Sequence, residues 1–372
     1  MERLERALAA KRLVVKIGSS LLVDEEGELR GIWLDALAED VAALRREGRQ
    51  VIIVTSGAIA LGRRVLRLPR RPMRLEEKQA AAAVGQIRLA RAWEQSLARA
   101  GLATAQILVT LEDTEARRRY LNARATVETL LRLGAVPVVN ENDTVATGEI
   151  RFGDNDRLSA RVAVMAWAGT LVLLSDVDGL YTADPRHHSE ARHLPLVEAI
   201  TPEIEAMAGE AATPVGTGGM ASKIVAARIA TGAGCHVVLT AGAGLRPLSA
   251  LRGGARCTLF PARTSPRRAR KQWIAASLAA AGRIRVDAGA VAALKRGSSL
   301  LPAGVREVEG RFERGDAVIV EGPDGVPVAK GLSAYDAEDA RRIAGRRTRE
   351  IAAVLGWRGR DEMIHRDDLV LL

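Results

Sequence analysis

At 372 residues with 48% hydrophobic content, the chain is long enough for two domains and apolar enough to bury a core in each. Its net charge is +10, from 55 Lys and Arg against 45 Asp and Glu, yet lysine occurs only at 11, 16, 78, 223, 271, 295 and 330, so the arginine skew reads as genome composition more than as a nucleic-acid surface. A secreted disulfide framework, a zinc site and a membrane span are all disfavoured: MERLERALAAKR lacks the apolar core of a signal peptide, the longest apolar runs are strand-sized, and Cys235 and Cys257 form no CxxC pair.

Short apolar runs recur along the first two-thirds of the chain: LVVKI at 13–17, VIIVT at 51–55, AQILVT at 105–110, VPVV at 136–139, LVLLS at 171–175 and HVVLT at 236–240. They are β-branched and do not alternate, the pattern of strands buried on both faces. Between them, stretches at 33–47, 74–99, 114–133 and 220–232 have helical spacing. The alternation predicts an α/β fold, an open and mostly parallel sheet sandwiched by helices. The rhythm changes near 262. PARTSPRRARKQW (261–273) reads as a linker, and GRIRVD (282–287), GDAVIVEG (315–322) and VPVAKG (326–331) predict a small β-rich module. Residues 263–372 hold 21 bases against 15 acids, so the basic excess is concentrated there. The expected boundaries are a first domain at 1–262, a linker at 263–280 and a second domain at 281–360.

In an open parallel sheet, ligands collect at the carboxyl ends of the strands. The loops there begin Lys16-Ile17-Gly18-Ser19-Ser20, Thr55-Ser56-Gly57-Ala58-Ile59, Asn140-Glu141-Asn142-Asp143 and Ser175-Asp176-Val177-Asp178-Gly179. Glycine and serine at such turns let backbone N–H groups approach an anion, and a following helix N-terminus adds partial positive charge. The chemistry suggested is phosphate binding, but not through a common phosphate loop. No Gly-Lys dipeptide occurs, which excludes a Walker A motif, and no GxGxxG follows the first strand. A second glycine-rich stretch, Gly216-Thr217-Gly218-Gly219-Met220-Ala221-Ser222-Lys223, opens a helical pattern and ends on one of the scarce lysines. Residues 140–156, NENDTVATGEIRFGDND, gather acids and amides within a basic chain.

KIGSS, VTSGAIALG, VVNENDTVA, FGDNDRLSA, LLSDVDGLYTADP and GTGGMASK occur in this order. As an ordered set over about residues 10–260 they resemble the amino acid kinase family, and within it the glutamate 5-kinases. The tail, with GSSLLPAGV at 297–305, resembles a PUA domain. The resemblance implies that ATP phosphorylates the γ-carboxylate of L-glutamate to L-glutamyl 5-phosphate, the first step of L-proline biosynthesis. It assigns Lys16 and Lys223 to neutralising charge on the transferring phosphoryl group, and Asp156 to holding those lysines, with Asp154 beside it. Ser56, Asp143 and Asn155 match glutamate-binding positions, which explains the acids and amides, since an amino acid presents an ammonium that needs acceptors. Lys16, Ser175, Asp176 and Thr217, Gly218, Gly219, Met220, Ala221, Ser222 and Lys223 match nucleotide-binding positions; Ser175 stands where the family often has Thr. Mg²⁺ is expected on the β- and γ-phosphates, with no protein metal site. Feedback inhibition by proline, a dimer or tetramer, and a cytoplasmic location are expected, and the tail's charge permits RNA as a partner. The adjacent His187-His188 reads as a solvated pair, and His365-Arg366-Asp367-Asp368 as a surface feature. Asp113, Tyr120 and Asn122 are read equally well as an exposed helix start or as neighbours of the glutamate site or a subunit contact.

Overall fold

The computed structural model describes residues 2–69, 71–145, 155–208, 219–277 and 279–372. The chain divides into two compact units, Met1–Pro266 and Arg267–Leu372. The strands of the first unit are β1 (Arg12–Ile17), β2 (Gln50–Val54), β3 (Thr104–Val109), β4 (Val136–Glu141), β5 (Thr170–Ser175), β6 (Leu180–Tyr181), β7 (His193–Leu194), β8 (His236–Ala241) and β9 (Cys257–Phe260). β6 and β7 form a small hairpin, and the others build a seven-stranded sheet in the order β3-β4-β2-β1-β5-β8-β9. All its pairings are parallel except β8 with β9.

Two apolar cores sandwich this sheet, because successive side chains of a strand point to opposite faces. Val15, Ile17, Val51 and Ile53 enter one core, with Trp33 and Leu37 of helix Gly31–Arg46 and Leu89 and Trp93 of helix Leu75–Arg99. Val14, Ile52 and Val54 enter the other, with Val127 of helix Arg117–Arg132, Leu158 and Val162 of helix Asn155–Met165, and Ile224 and Ala227 of helix Met220–Gly232. Three features depart from the sequence expectation. β3 is not buried on both faces, since it lies at the sheet edge and leaves Leu108 39% exposed. β9 was not foreseen, being only four residues long and antiparallel. Helix Asn155–Met165 was not foreseen either, because its first turn, Asn-Asp-Arg, masks the apolar spacing behind it.

The helices Ala58–Val65 and Leu75–Arg99 cross in backbone contact. A Cβ on Gly62 would stand 1.7 Å from the Ala81 carbonyl oxygen, and one on Gly85 would stand 1.7 Å from that of Ala58. Only glycine permits this approach, and it fixes where the shorter helix starts, just beyond Ser56 and Gly57. Gly57 itself has φ +97°, a left-handed conformation that lets the chain turn from β2 into the helix.

The second unit has β10 (Gly282–Val286), β11 (Val305–Gly310), β12 (Ala317–Glu321), β13 (Pro327–Leu332) and β14 (Leu369–Leu371), in the order β11-β10-β12-β13-β14. Its core contains Ile284, Val286, Val318, Val320, Tyr335 and Ile364. The expected linker contains helix Pro266–Ser277, which opens on a proline suited to the first helical position and buries Ile274 against Ala317 and Leu332. The unit also runs past 360, because β14 pairs with β13. Of His365-Arg366-Asp367-Asp368, read as a surface feature, Arg366 is exposed and His365 and Asp367 are half-buried, and only the last residue departs from that reading. Asp368 is buried, accepts from Arg270 Nε at 3.0 Å, and ties the helix to the end of the sheet. Among the described residues, no helix is long and apolar enough to cross a membrane.

Candidate active site

Lys16 lies two residues beyond Val14 on the central strand β1, so its side chain leaves the sheet on the same face. There it meets the first turn of helix Asn155–Met165. Lys16 Nζ is 2.6 Å from Asp156 Oδ1. Lys223, in the first turn of helix Met220–Gly232, places its Nζ 3.3 Å from Asp156 Oδ2, and Ser222 Oγ donates to the same oxygen at 2.7 Å. Asp156 is 0% exposed, and the two lysines are 5% and 6% exposed. Burial by itself would raise the Asp156 carboxyl, but Lys16, Lys223 and the Ser222 hydroxyl outweigh it and hold the carboxyl below its usual range. The helix N-terminus also favours a carboxylate in its first turn. Two ammoniums around one carboxylate leave the trio with net positive charge in a low-dielectric place, an arrangement suited to an anion.

A second cluster lies beside the first. Asn155 Nδ2 donates to the Thr55 carbonyl and to Ser56 Oγ, both at 2.7 Å, and to Asn140 Oδ1 at 3.2 Å. Asn140 Nδ2 donates to Gln86 Oε1 at 2.8 Å, and Trp93 Nε1 donates to Thr55 Oγ1 at 3.0 Å. Asn155 Oδ1 is buried with no hydrogen-bond partner among the described residues. Asp143, half-buried in the turn after β4, has its carboxyl pushed up by burial to about 6. At the end of β5, Ser175 Oγ donates to Asp176 Oδ1 at 2.8 Å, and Gly242, just after β8, donates its N–H to the Ser175 carbonyl at 2.8 Å.

Residues 11–241 match the amino acid kinase family, and residues 282–355 match the PUA domain. The chain is 59% identical to the glutamate 5-kinase of Paramagnetospirillum magneticum over 98% of either protein. It is equally 59% identical to that of Allorhizobium ampelinum, over 97% of this chain and 92% of that one, and to that of a Bradyrhizobium species, over 97% and 96%. The chain belongs to the glutamate 5-kinases of the amino acid kinase family. The resemblance read from the ordered motifs and from the tail is thereby confirmed, as is the expected fold of a mostly parallel, helix-sandwiched sheet with a PUA domain.

The structure thus brings Lys16, Asp156, Ser222 and Lys223 into one cluster and Ser56 and Asn155 into another. Gly219 caps helix Met220–Gly232, which begins with Met220 and Ala221. Thr217, Gly218 and Asp154 lie outside the described residues. Three neighbours escaped the sequence reading. Gln86 and Trp93 sit inside a helical pattern that reads as core and surface, with no local sign of a site. Asn140 stood within the quoted loop but was assigned no contact. Asp113 forms a reciprocal cap with Thr110, accepting from its N–H at 2.7 Å and donating its own N–H to Thr110 Oγ1 at 3.2 Å, which favours the helix-start reading of that segment. Among the described residues no group of His, Cys, Asp and Glu could hold a metal ion.

Proposed function

We propose that the chain transfers the γ-phosphoryl group of ATP to the side-chain carboxylate of L-glutamate, yielding L-glutamyl 5-phosphate and ADP as the entry to proline biosynthesis. The reading is carried by one observation: a buried carboxylate clamped between two lysines, beside a cluster of amide acceptors, at the carboxyl edge of a parallel sheet. A γ-carboxylate oxygen attacks the γ-phosphorus as its bond to the β–γ bridging oxygen breaks. The reaction needs alignment and charge neutralisation more than covalent catalysis. Lys16 and Lys223 supply the positive charge, and Asp156 keeps both ammoniums in place without leaving a free negative charge to repel phosphate. Ser56, Asn155 and Asp143 hold glutamate, with Asn155 Oδ1 and the Asp143 carboxylate accepting from its ammonium. Ser175, Asp176 and residues 217–223 hold the nucleotide.

Mg²⁺ would be carried on the β- and γ-phosphate oxygens, where it lowers the charge that the lysines meet. Asp156 has an ammonium at each oxygen and is poorly placed to ligate the ion as well. Proline shares the ammonium and α-carboxylate of glutamate but lacks the γ-carboxylate, so it would compete at the same acceptors and raise the apparent KM for glutamate. A cytoplasmic dimer or tetramer is the assembly we expect, and RNA is a candidate partner for the basic PUA unit. An ATP-dependent hydroxamate assay comparing L-glutamate, L-aspartate and N-acetylglutamate tests the substrate. Hydroxamate should form with glutamate far faster than with the other two; equal or faster reaction with either alternative would reassign the acceptor.

A further inference from the structure

The amide chain at the site has a direction. A carboxamide donates only from its NH₂ and accepts only at its oxygen, so each link fixes the next. Gln86 presents Oε1 to Asn140 Nδ2 at 2.8 Å. Asn140 must then turn its Oδ1 toward Asn155, which answers with Nδ2 at 3.2 Å. The Thr55 carbonyl takes the same Asn155 NH₂ at 2.7 Å and reinforces that orientation. What remains is Asn155 Oδ1, on a residue 5% exposed, buried with no partner among the described residues. A buried acceptor without a donor is costly, and a cationic N–H donor brought to it would relieve that cost. The chain crosses the fold. Gln86 belongs to helix Leu75–Arg99 on one face of the sheet, Asn140 to the end of β4, and Asn155 to the helix covering the other face.

We infer that Gln86 is a positioning residue for the amino-acid substrate: through Asn140 it orients Asn155 so that Oδ1, not NH₂, faces the substrate ammonium. Gln86 touches no substrate atom in this arrangement. If Asn140 turned over, its NH₂ would oppose the Asn155 NH₂, and Asn155 could satisfy it only by giving up the Thr55 carbonyl. The donor end would then meet the ammonium. The inference rests on the glutamate reading for the identity of the ammonium, but its logic holds for any amino-acid acceptor.

The test uses the full-length chain with Gln86→Leu and Gln86→Glu. Leucine removes the acceptor, whereas glutamate keeps acceptor oxygens and offers no donor when ionised, so it preserves the direction of the chain. Gln86→Leu should raise the KM for glutamate about three- to tenfold, the scale of a weakened hydrogen bond to a charged group. Its kcat and its KM for ATP should stay within about twofold of wild type, and Gln86→Glu should restore the glutamate KM to within about twofold. The inference is overturned if leucine leaves the glutamate KM unchanged, if the loss appears in kcat or in the KM for ATP, or if glutamate at 86 fails as badly as leucine. Should wild type prefer another acceptor, the glutamate reading fails by itself, and the same variants measured with that acceptor still decide the role of Gln86.

Discussion

In the proposed reaction, Lys223 and Lys16 do different work from ordinary buried lysines. Each is held by one oxygen of Asp156, so their charge is already desolvated and oriented when phosphate arrives. Such preorganised charge acts mainly on the transition state. Lys223→Ala should lower kcat roughly 100-fold or more with a small change in the glutamate KM, and steady-state kinetics over both substrates would reveal a binding role instead if KM moved more than kcat. Asp156→Asn should likewise act on kcat, since it releases the lysines without removing a substrate contact. As a proposed partner of the glutamate ammonium, Asp143 should give a pH dependence. Its carboxyl, raised by burial to about 6, is neutral in acid and cannot pair with the ammonium, while the substrate ammonium does not titrate there. kcat/KM for glutamate, which reports the free enzyme, should therefore fall as pH drops through about 6. Asp143→Asn should give a lower, flat profile between pH 5 and pH 7. The stability sign is opposite to that of a salt-bridged carboxylate: a raised carboxyl favours the folded state in acid, and that contribution is lost as pH rises through about 6.

At the scale of elements, the crossing of helices Ala58–Val65 and Leu75–Arg99 deserves a direct test, because it sets both the start of the Ser56 loop and the position of Gln86. An alanine in a helix gains about 1 kcal/mol over glycine in propensity. A Cβ at Gly85, however, would sit 1.7 Å from the Ala58 carbonyl oxygen, and the two backbones must separate. Overpacking of this kind costs about 1–3 kcal/mol, so the clash should win. Gly85→Ala should lower the melting temperature by several degrees and raise the glutamate KM, because the displaced residue, Ala58, follows Ser56 and Gly57 directly. Unchanged melting and kinetics would mean that the helices can part without moving the loop.

At the scale of the whole molecule, every residue assigned to the reaction belongs to the first unit, Met1–Pro266. A chain ending at Pro266 should therefore fold, by circular dichroism, and keep phosphorylating glutamate. A folded but inactive truncation would show that the PUA unit contributes to catalysis. The cut belongs at the first residue of helix Pro266–Ser277 and not after the helix, because Ile274 and Arg270 pack and pair within the second unit.

The sequence by itself determined six of the seven strands of the main sheet, their mostly parallel arrangement and the loops at their carboxyl ends, because β-branched runs and glycine-rich turns are local signals. It also marked Lys16 and Lys223, as scarce lysines inside ordered motifs. Beyond what the family resemblance implied, Asp156 holding Lys16 and Lys223 among it, residue patterns could not determine which residues distant in the chain would touch. That Asp156 takes both lysines depends on helix Asn155–Met165 lying over the same sheet face as the Lys16 side chain, and its polar first turn hid that helix. Edge strand β3 looked like a buried strand because hydrophobicity does not report position in the sheet. The linker helix was concealed by its arginines, of which Arg270 pairs with Asp368, 98 residues away. Gln86 shows the limit most plainly. Its importance lies in the direction of a hydrogen-bonded amide chain spanning both layers of the fold, a property of three side chains meeting in space and of no segment taken singly.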